Sequence, residues 1–311
     1  MALTTPASTG GRAARSITDG LTKRGSDLRG KLIEGVLVTA LAATLLVLFV
    51  LIVDLVQRSW PVWTDRGGDF LSSGLNSSSA ASAGVWSGIK GTITLGLIVC
   101  VIAFPLGIAC AVYLEEYAGR TRLARLTRIN VRNLAGVPSI VYGLLGLGIF
   151  VNTLGIGRNV FAAGLALSAL VLPIVVITAS EALRAVPVAI REGALGVGAT
   201  QWETVRSHVL PAAAPGILTG TVLSLARAAG EAAPILLVGA ATGLLRTGDQ
   251  GFLDQLGGAF TAMPVVIFSY ARQTGEQFRE ITAAASLVLL VLVLAMNTFA
   301  IWLRNRYDRK W

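Results

Sequence analysis

REGALGVGATQWETVRSHVLP, residues 191–211, is a polar island in an apolar chain. It carries Arg191, Glu192, Glu203, Arg206 and the sole histidine, His208. It is too polar to cross a bilayer and too regularly patterned for a slack loop. Pro187 suits the start of a helix, which runs over 188–197 until Gly198 supplies a natural end. Thr200 and Glu203 match a capping box, in which the threonine accepts from a backbone N–H and the glutamate reaches back. A second helix then follows over about 201–209. Pro211 is expected to stop it and to push Leu210 into an extended conformation. The apolar Leu195, Val197, Trp202 and Val205 leave the charges on other faces. The helix pair either rests on a membrane surface or forms a compact knob for a soluble partner.

The rest of the chain decides the setting. Of its 311 residues 54% are hydrophobic and only 14% charged, where a soluble domain has about a quarter charged. Six segments approach the 20 or so apolar residues a spanning helix needs: 33–56, 92–114, 134–154, 159–180, 216–240 and 282–303. The third and fourth are joined by a few residues around Gly155 and Arg158, as a hairpin. Pro105, Pro173 and Pro234 fall inside apolar segments and predict bends. The expectation is an all-α membrane protein with six transmembrane helices.

Charge placement orients it. With the amino terminus inside, 18 of the 26 Lys and Arg lie on the inner side, including the run from Arg120 to Arg132. Seven lie outside and Arg227 falls within a span. This excess predicts both termini in the cytoplasm of a multi-pass membrane protein. It accounts for the net charge of +9 without nucleic acid. The polar segment 1–31 is expected to be a cytoplasmic tail. The first apolar run is long and ends at Asp54, so it reads as a retained span rather than a cleaved signal. Residues 32–311 then form the membrane domain, with the polar loop at about 181–214. Glu115 and Glu116, beside the arginine run, read as a solvated topogenic loop or as extra contact with a soluble partner. The outer loop 57–90 is Gly/Ser-rich and expected to be flexible. FTAMPVVIFSY, in the outer loop 241–281, is too short to span.

Several chemistries are disfavoured. Cys100 and Cys110 share one apolar run and form neither a disulfide framework nor, with one histidine, a metal site. No Gly-x-x-x-x-Gly-Lys-Ser/Thr loop is present to hold a nucleotide. No Ser/His/Asp set suggests an enzyme.

The spacing Glu192-Gly193-Ala194, then Gly198, then Leu210-Pro211 resembles the EAA loop of ATP-binding-cassette (ABC) importer permeases. Gly193 stands where that motif has alanine, and His208 where it has an aliphatic residue. The stretches AVYLEEYAGRTRLARL (111–126), NLAGVPSIVYGLLGLGIF (133–150) and VLPAAAPGILTGTVLSLARAAGEAAP (209–234) extend the likeness, with Ala232 where threonine is more usual. FTAMPVVIFSYARQTGEQF (260–278) adds to it. Together they are similar to PstA-type permease subunits of bacterial phosphate-specific ABC importers, over about residues 33–305.

The resemblance implies a type I ABC importer permease fold with cytoplasmic coupling helices. It implies a second permease subunit completing a heterodimeric pore and two copies of an ATP-binding-cassette ATPase. It also implies an extracytoplasmic phosphate-binding protein. ATP and magnesium would be used by the ATPase, with no cofactor bound by this chain. Arg191, Glu192, Ala194, Gly198, Trp202, Leu210 and Pro211 would form the ATPase-coupling surface.

Within the fifth span, Arg227 and Glu231 are four residues apart and are expected to share one helix face. Charges at membrane depth must be paired or face water. They serve either the anion path or a structural ion pair between subunits. Gly216 and Gly220 read as helix-packing positions. Other oxyanions such as sulfate or molybdate, or a self-contained secondary transporter, remain alternative readings.

Overall fold

The computed structural model describes residues 28–119, 121–245 and 257–307. The polar tail expected over 1–31 lies outside these residues up to Asp27. The chain divides into two compact units at Asp54/Leu55. Helix α1, Leu28–Asp65, starts in the first. Its residues from Gly35 to Leu51 form an uncharged, mostly apolar surface all round, suited to hydrocarbon rather than water.

In the second unit α2, Gly67–Ser72, and a short strand β1, Leu75–Asn76, precede α3, Trp86–Val112. Helix α3 ends in a wide π-helical turn, Tyr113–Tyr117. An amphipathic helix α4, Arg122–Ala135, leads to α5, Ser139–Leu145, which runs into a π-helical stretch over Gly146–Thr153. Next come α6, Val160–Ala185, α7, Val188–Gly196, and α8, Gln201–Thr204. A π turn, Val205–Val209, passes into α9, Leu210–Gly230. The chain continues through α10, Ala233–Val238, strand β2, Leu244–Leu245, α11, Met263–Ala271, and α12, Glu276–Tyr307.

Helix α6 is the centre of this unit, flanked by α3 and α9. Small residues allow the close approach that membrane helices use in place of a hydrophobic drive. A Cβ on Gly107 of α3 would lie 2.7 Å from Val175 Cγ1, and one on Gly216 of α9 would lie 2.8 Å from Ala182 Cβ. Gly220 meets Thr178 in the same way. The expectation that Gly216 and Gly220 serve packing therefore holds.

Among the described residues, five helices are long and apolar enough to cross a membrane, and the pair α4 and α5 makes a sixth if counted as one broken span. That pair corrects the third expected segment, 134–154. The chain bends by 105° between Ala135 and Ser139, so only the part from Ser139 follows the expected line. Pro138 lacks a donor and disfavours helix at the residue before it. Tyr142 Oη donates to Leu134 O at 2.9 Å across the bend.

Two further expectations are corrected. Pro211 does not end a helix: residues 201–230 run as one helical segment, and Leu210 is helical (φ −62°, ψ −46°). The π turn over Val205–Val209 lies directly before the proline. Its wider winding accommodates a residue that cannot make the ordinary i→i−4 bond. The fifth span, expected over 216–240, breaks after Gly230, where Glu231 adopts an extended conformation (ψ 124°).

The loop 57–90 is also ordered rather than flexible. β1 pairs antiparallel with β2, Leu75 opposite Leu245. Arg66 donates through Nη1 to Ala80 O (2.6 Å) and through Nη2 to Ala83 O (2.7 Å). Tyr270 Oη donates to Gly84 O at 2.6 Å. Phe70, Leu75, Val85, Met263 and Tyr270 are fully buried together. The apolar residues scattered through the Gly/Ser-rich sequence thus find one core, and Arg66 satisfies its carbonyls. FTAMPVVIFSY enters the same core as α11, short of a span as expected.

Candidate functional site

The stretch 186–211 stands at one end of the bundle. Helix α7 ends where Gly198 takes φ +91°, a conformation that suits glycine. Ala199 N donates to Ala194 O (3.1 Å) and Gly198 N to Leu195 O (3.0 Å), closing the terminus. The capping box is formed: Glu203 N donates to Thr200 Oγ1 (3.3 Å) and Thr200 N to Glu203 Oε2 (2.8 Å). Val209 buries beside Leu183, Val186 and Ala213, so the helix pair stands on an apolar base.

What faces outward is a knob. Glu192, Gly198 and Pro211 are exposed, and Ala194 is buried beneath them. Val197 is 88% exposed and Trp202 57%, with Leu195 and Val188 also exposed. Leu210 is half-buried. An exposed apolar tip of this kind, held on a closed pair of short helices, marks an interaction surface.

Arg191 turns inward. Its Nη2 donates to Glu116 Oε1 (2.8 Å) and to Leu183 O (2.8 Å), and its Nη1 to Val186 O (2.8 Å). Gln201 donates to the Glu116 carbonyl. The neighbouring Glu115 receives a two-pronged contact from Arg184, Nε and Nη2 each at 2.8 Å. Arg128 lies 3.5 Å away on its other side. Glu115 and Glu116 thus belong to the helical end of α3 and are paired, not part of a loose solvated loop. Sequence reasoning missed these pairings. Their trace is two adjacent acids at the end of an apolar run; Arg128 lies in the neighbouring arginine run, whereas Arg184 and Arg191 are distant in sequence.

Arg227 and Glu231 sit elsewhere, roughly 24 Å along α9 from Pro211 at 1.5 Å per residue. Arg227 Nε lies 3.6 Å from Glu231 Oε1, with side chains 53% and 19% exposed. They approach as expected, but across the end of α9 rather than along one continuous helix. Beyond the break, α10 packs on α5. A Cβ on Gly143 would lie 2.8 Å from Pro234 Cα and 2.7 Å from Leu237 Cδ1. The sequences VPSIVYG and ARAAGEAAP therefore meet in space, one on each side of this contact.

Comparison with known proteins accords with this architecture. The family model described as the binding-protein-dependent transport system inner membrane component matches residues 103–311. The phosphate transport system permease protein PstA 1 of Mycobacterium tuberculosis (strain CDC 1551 / Oshkosh) is 36% identical over 223 residues, 72% of this chain and 71% of that protein. The phosphate transport system permease protein PstA of Xylella fastidiosa (strain Temecula1 / ATCC 700964) is 33% identical, covering 72% and 76%. The probable ABC transporter permease protein YqgI of Bacillus subtilis (strain 168) is 31% identical, covering 76% and 82%. Among solved structures, a chain of a bacterial alginate ABC transporter superposes with a TM-score of 0.67 at 18% identity, over 91% of this chain and 96% of that one. A chain of the methionine ABC transporter MetNI gives 0.54 at 19%, over 72% and 94%. The shared fold is that of type I ABC importer permeases. The chain belongs to the family of binding-protein-dependent transport system inner membrane components.

Proposed function

We propose that this chain is the membrane subunit of an ATP-driven importer for inorganic phosphate. The observation that carries the reading is the contact between α5 and α10. It brings Gly143 of VPSIVYG against Pro234 of ARAAGEAAP and places a broken span beside the Arg227–Glu231 pair. The names of the curated relatives support the same solute.

In this reading a second, related permease completes the pore, and two ATPase copies dock on the cytoplasmic face. A phosphate-binding protein delivers solute from outside. The knob at 186–211 is the coupling element, its apolar tip at Leu195, Val197 and Trp202 entering a groove on the ATPase. Glu192 and Arg206 flank that contact. Both termini are cytoplasmic, consistent with the charge asymmetry. ATP and magnesium are handled by the ATPase.

Arg227 and Glu231 belong to the anion path. A guanidinium presents a planar fork of donors that matches phosphate oxygens. The separation of 3.6 Å from Glu231 is longer than a charge-assisted hydrogen bond, so the carboxylate does not saturate the fork. Its negative charge also weakens anion binding enough for release. The test is uptake of labelled phosphate in proteoliposomes containing the whole complex. Arg227→Ala should abolish uptake while assembly and ATP hydrolysis persist, with sulfate and molybdate as competing solutes. Normal uptake by that variant would defeat the assignment of Arg227.

A further inference from the structure

We propose that Glu115 and Glu116 are positioning residues that tie the coupling loop to the central spans. Displacement of α7 would then reach α3 and α6 through ion pairs as well as through the chain. This rests on the reading of residues 186–211 as the coupling element.

The covalent link from α7 back to α6 is a poor transmitter. Between α6 and α7 the chain passes through Val186 (ψ 126°) and Pro187 (ψ 138°), both extended. Two extended residues between helices form a joint about which α7 can swing. Arg191, one turn into α7, closes that joint. Its guanidinium binds the last carbonyls of α6 and the linker, at Leu183 and Val186, and the Glu116 carboxylate on the end of α3. Gln201 at the start of α8 holds the Glu116 main chain. Three elements therefore meet at one side chain.

Glu115 performs the matching task for the span itself. Consecutive residues on a helical turn point in different directions, so one turn serves two partners. Glu116 faces the coupling loop, and Glu115 faces Arg184 on α6 and Arg128 on α4. The Glu116 side chain is only 8% exposed and that of Arg191 22%. Screening by water is therefore weak at this pair, and a charged group left without its partner there would force rearrangement. The more exposed Arg184 contributes geometry more than energy.

The experiment uses the assembled complex with both permeases and the ATPase. Three variants are compared: Glu116→Gln, Arg191→Glu, and the charge swap Glu116→Arg with Arg191→Glu. The first readout is phosphate imported per ATP hydrolysed. Glu116→Gln should lower this ratio at least about fivefold, the lower end of coupling between distant sites, while hydrolysis persists. The swap should recover part of the ratio lost by Arg191→Glu. The second readout is hydrogen exchange with and without ATP. In the wild type, ATP should alter exchange in 188–209 and also in 113–117; in Glu116→Gln only the first segment should respond. An unchanged ratio and exchange response in Glu116→Gln would overturn the proposal. So would loss of the complex in every variant with no recovery by the swap, because the contact would then serve folding alone. If the wild-type complex imports no phosphate, the solute assignment fails by itself, and the exchange experiment still decides the tie.

Discussion

Gly198→Ala isolates the shape of the proposed coupling loop from its contacts. A Cβ at this position would meet no atom within 4 Å, so crowding contributes nothing. The whole effect comes from φ +91°, which costs a non-glycine residue about 1–3 kcal/mol. The loop either relaxes away from its present form or holds that form under strain when it docks. In both cases the cost appears as weaker ATPase binding, about 5- to 150-fold at ~1.4 kcal/mol per tenfold. Gly193→Ala is the control. Gly193 lies inside α7, has open space around it and no positive φ. Alanine there should stabilise the helix by about 0.5–1 kcal/mol and restores the residue that EAA loops carry. The assay is titration of the ATPase subunit onto the purified permease pair in nanodiscs, followed by light scattering or fluorescence anisotropy. Wild-type affinity in Gly198→Ala, or a larger loss in Gly193→Ala than in Gly198→Ala, would refute the reasoning.

Two further outcomes probe the frame around the site. Tyr270→Phe removes the donor to the Gly84 carbonyl, leaving a buried acceptor unpaired at about 1–3 kcal/mol; the melting temperature should fall while ATPase binding stays unchanged. Burial pushes the Tyr270 pKa up to about 12, so its neutral form is the favoured one in the fold. Its contribution is complete below the ordinary tyrosine value near 10 and is lost as pH rises through about 12. Proteolysis of the 66–85 segment should therefore show no dependence on this group between about pH 6 and 9. Gly216→Leu places bulk where even a Cβ sits 2.8 Å from Ala182. Overpacking between α9 and α6 should cost about 1–3 kcal/mol, read as a lower melting temperature of the detergent-solubilised complex.

Much of this architecture was legible because bilayer physics leaves few options. Apolar runs of spanning length located the long helices, and the Gly198 end and Thr200–Glu203 box marked the short helix pair α7 and α8 correctly. The failures cluster at prolines and in the outer loops. Pro211 signals a stop only if the preceding turn is an ordinary α turn, and a π turn at 205–209 removed that condition. The break at Glu231 lies between Gly230 and Pro234, whose missing N–H removes the helix bond to the Gly230 carbonyl; the bend expected at Pro234 is thus a full break, and α10 packs on α5 beyond it. Arg66 and Tyr270 order a Gly/Ser-rich loop through contacts up to 194 residues apart in sequence, which local composition does not encode. The Glu115 and Glu116 pairs are invisible for the same reason. By contrast Arg227 and Glu231 stood out, because charge inside an apolar run is conspicuous wherever the helix ends.

The most direct test of the functional account is ATP-driven phosphate uptake by the reconstituted complex. Proteoliposomes would hold this chain, its partner permease and the ATPase, with phosphate-loaded binding protein added on the outer side. The account predicts accumulation of labelled phosphate that requires ATP and magnesium on the ATPase side and stops when the ATPase is omitted. Phosphate uptake that proceeds at the same rate without the ATPase would contradict it.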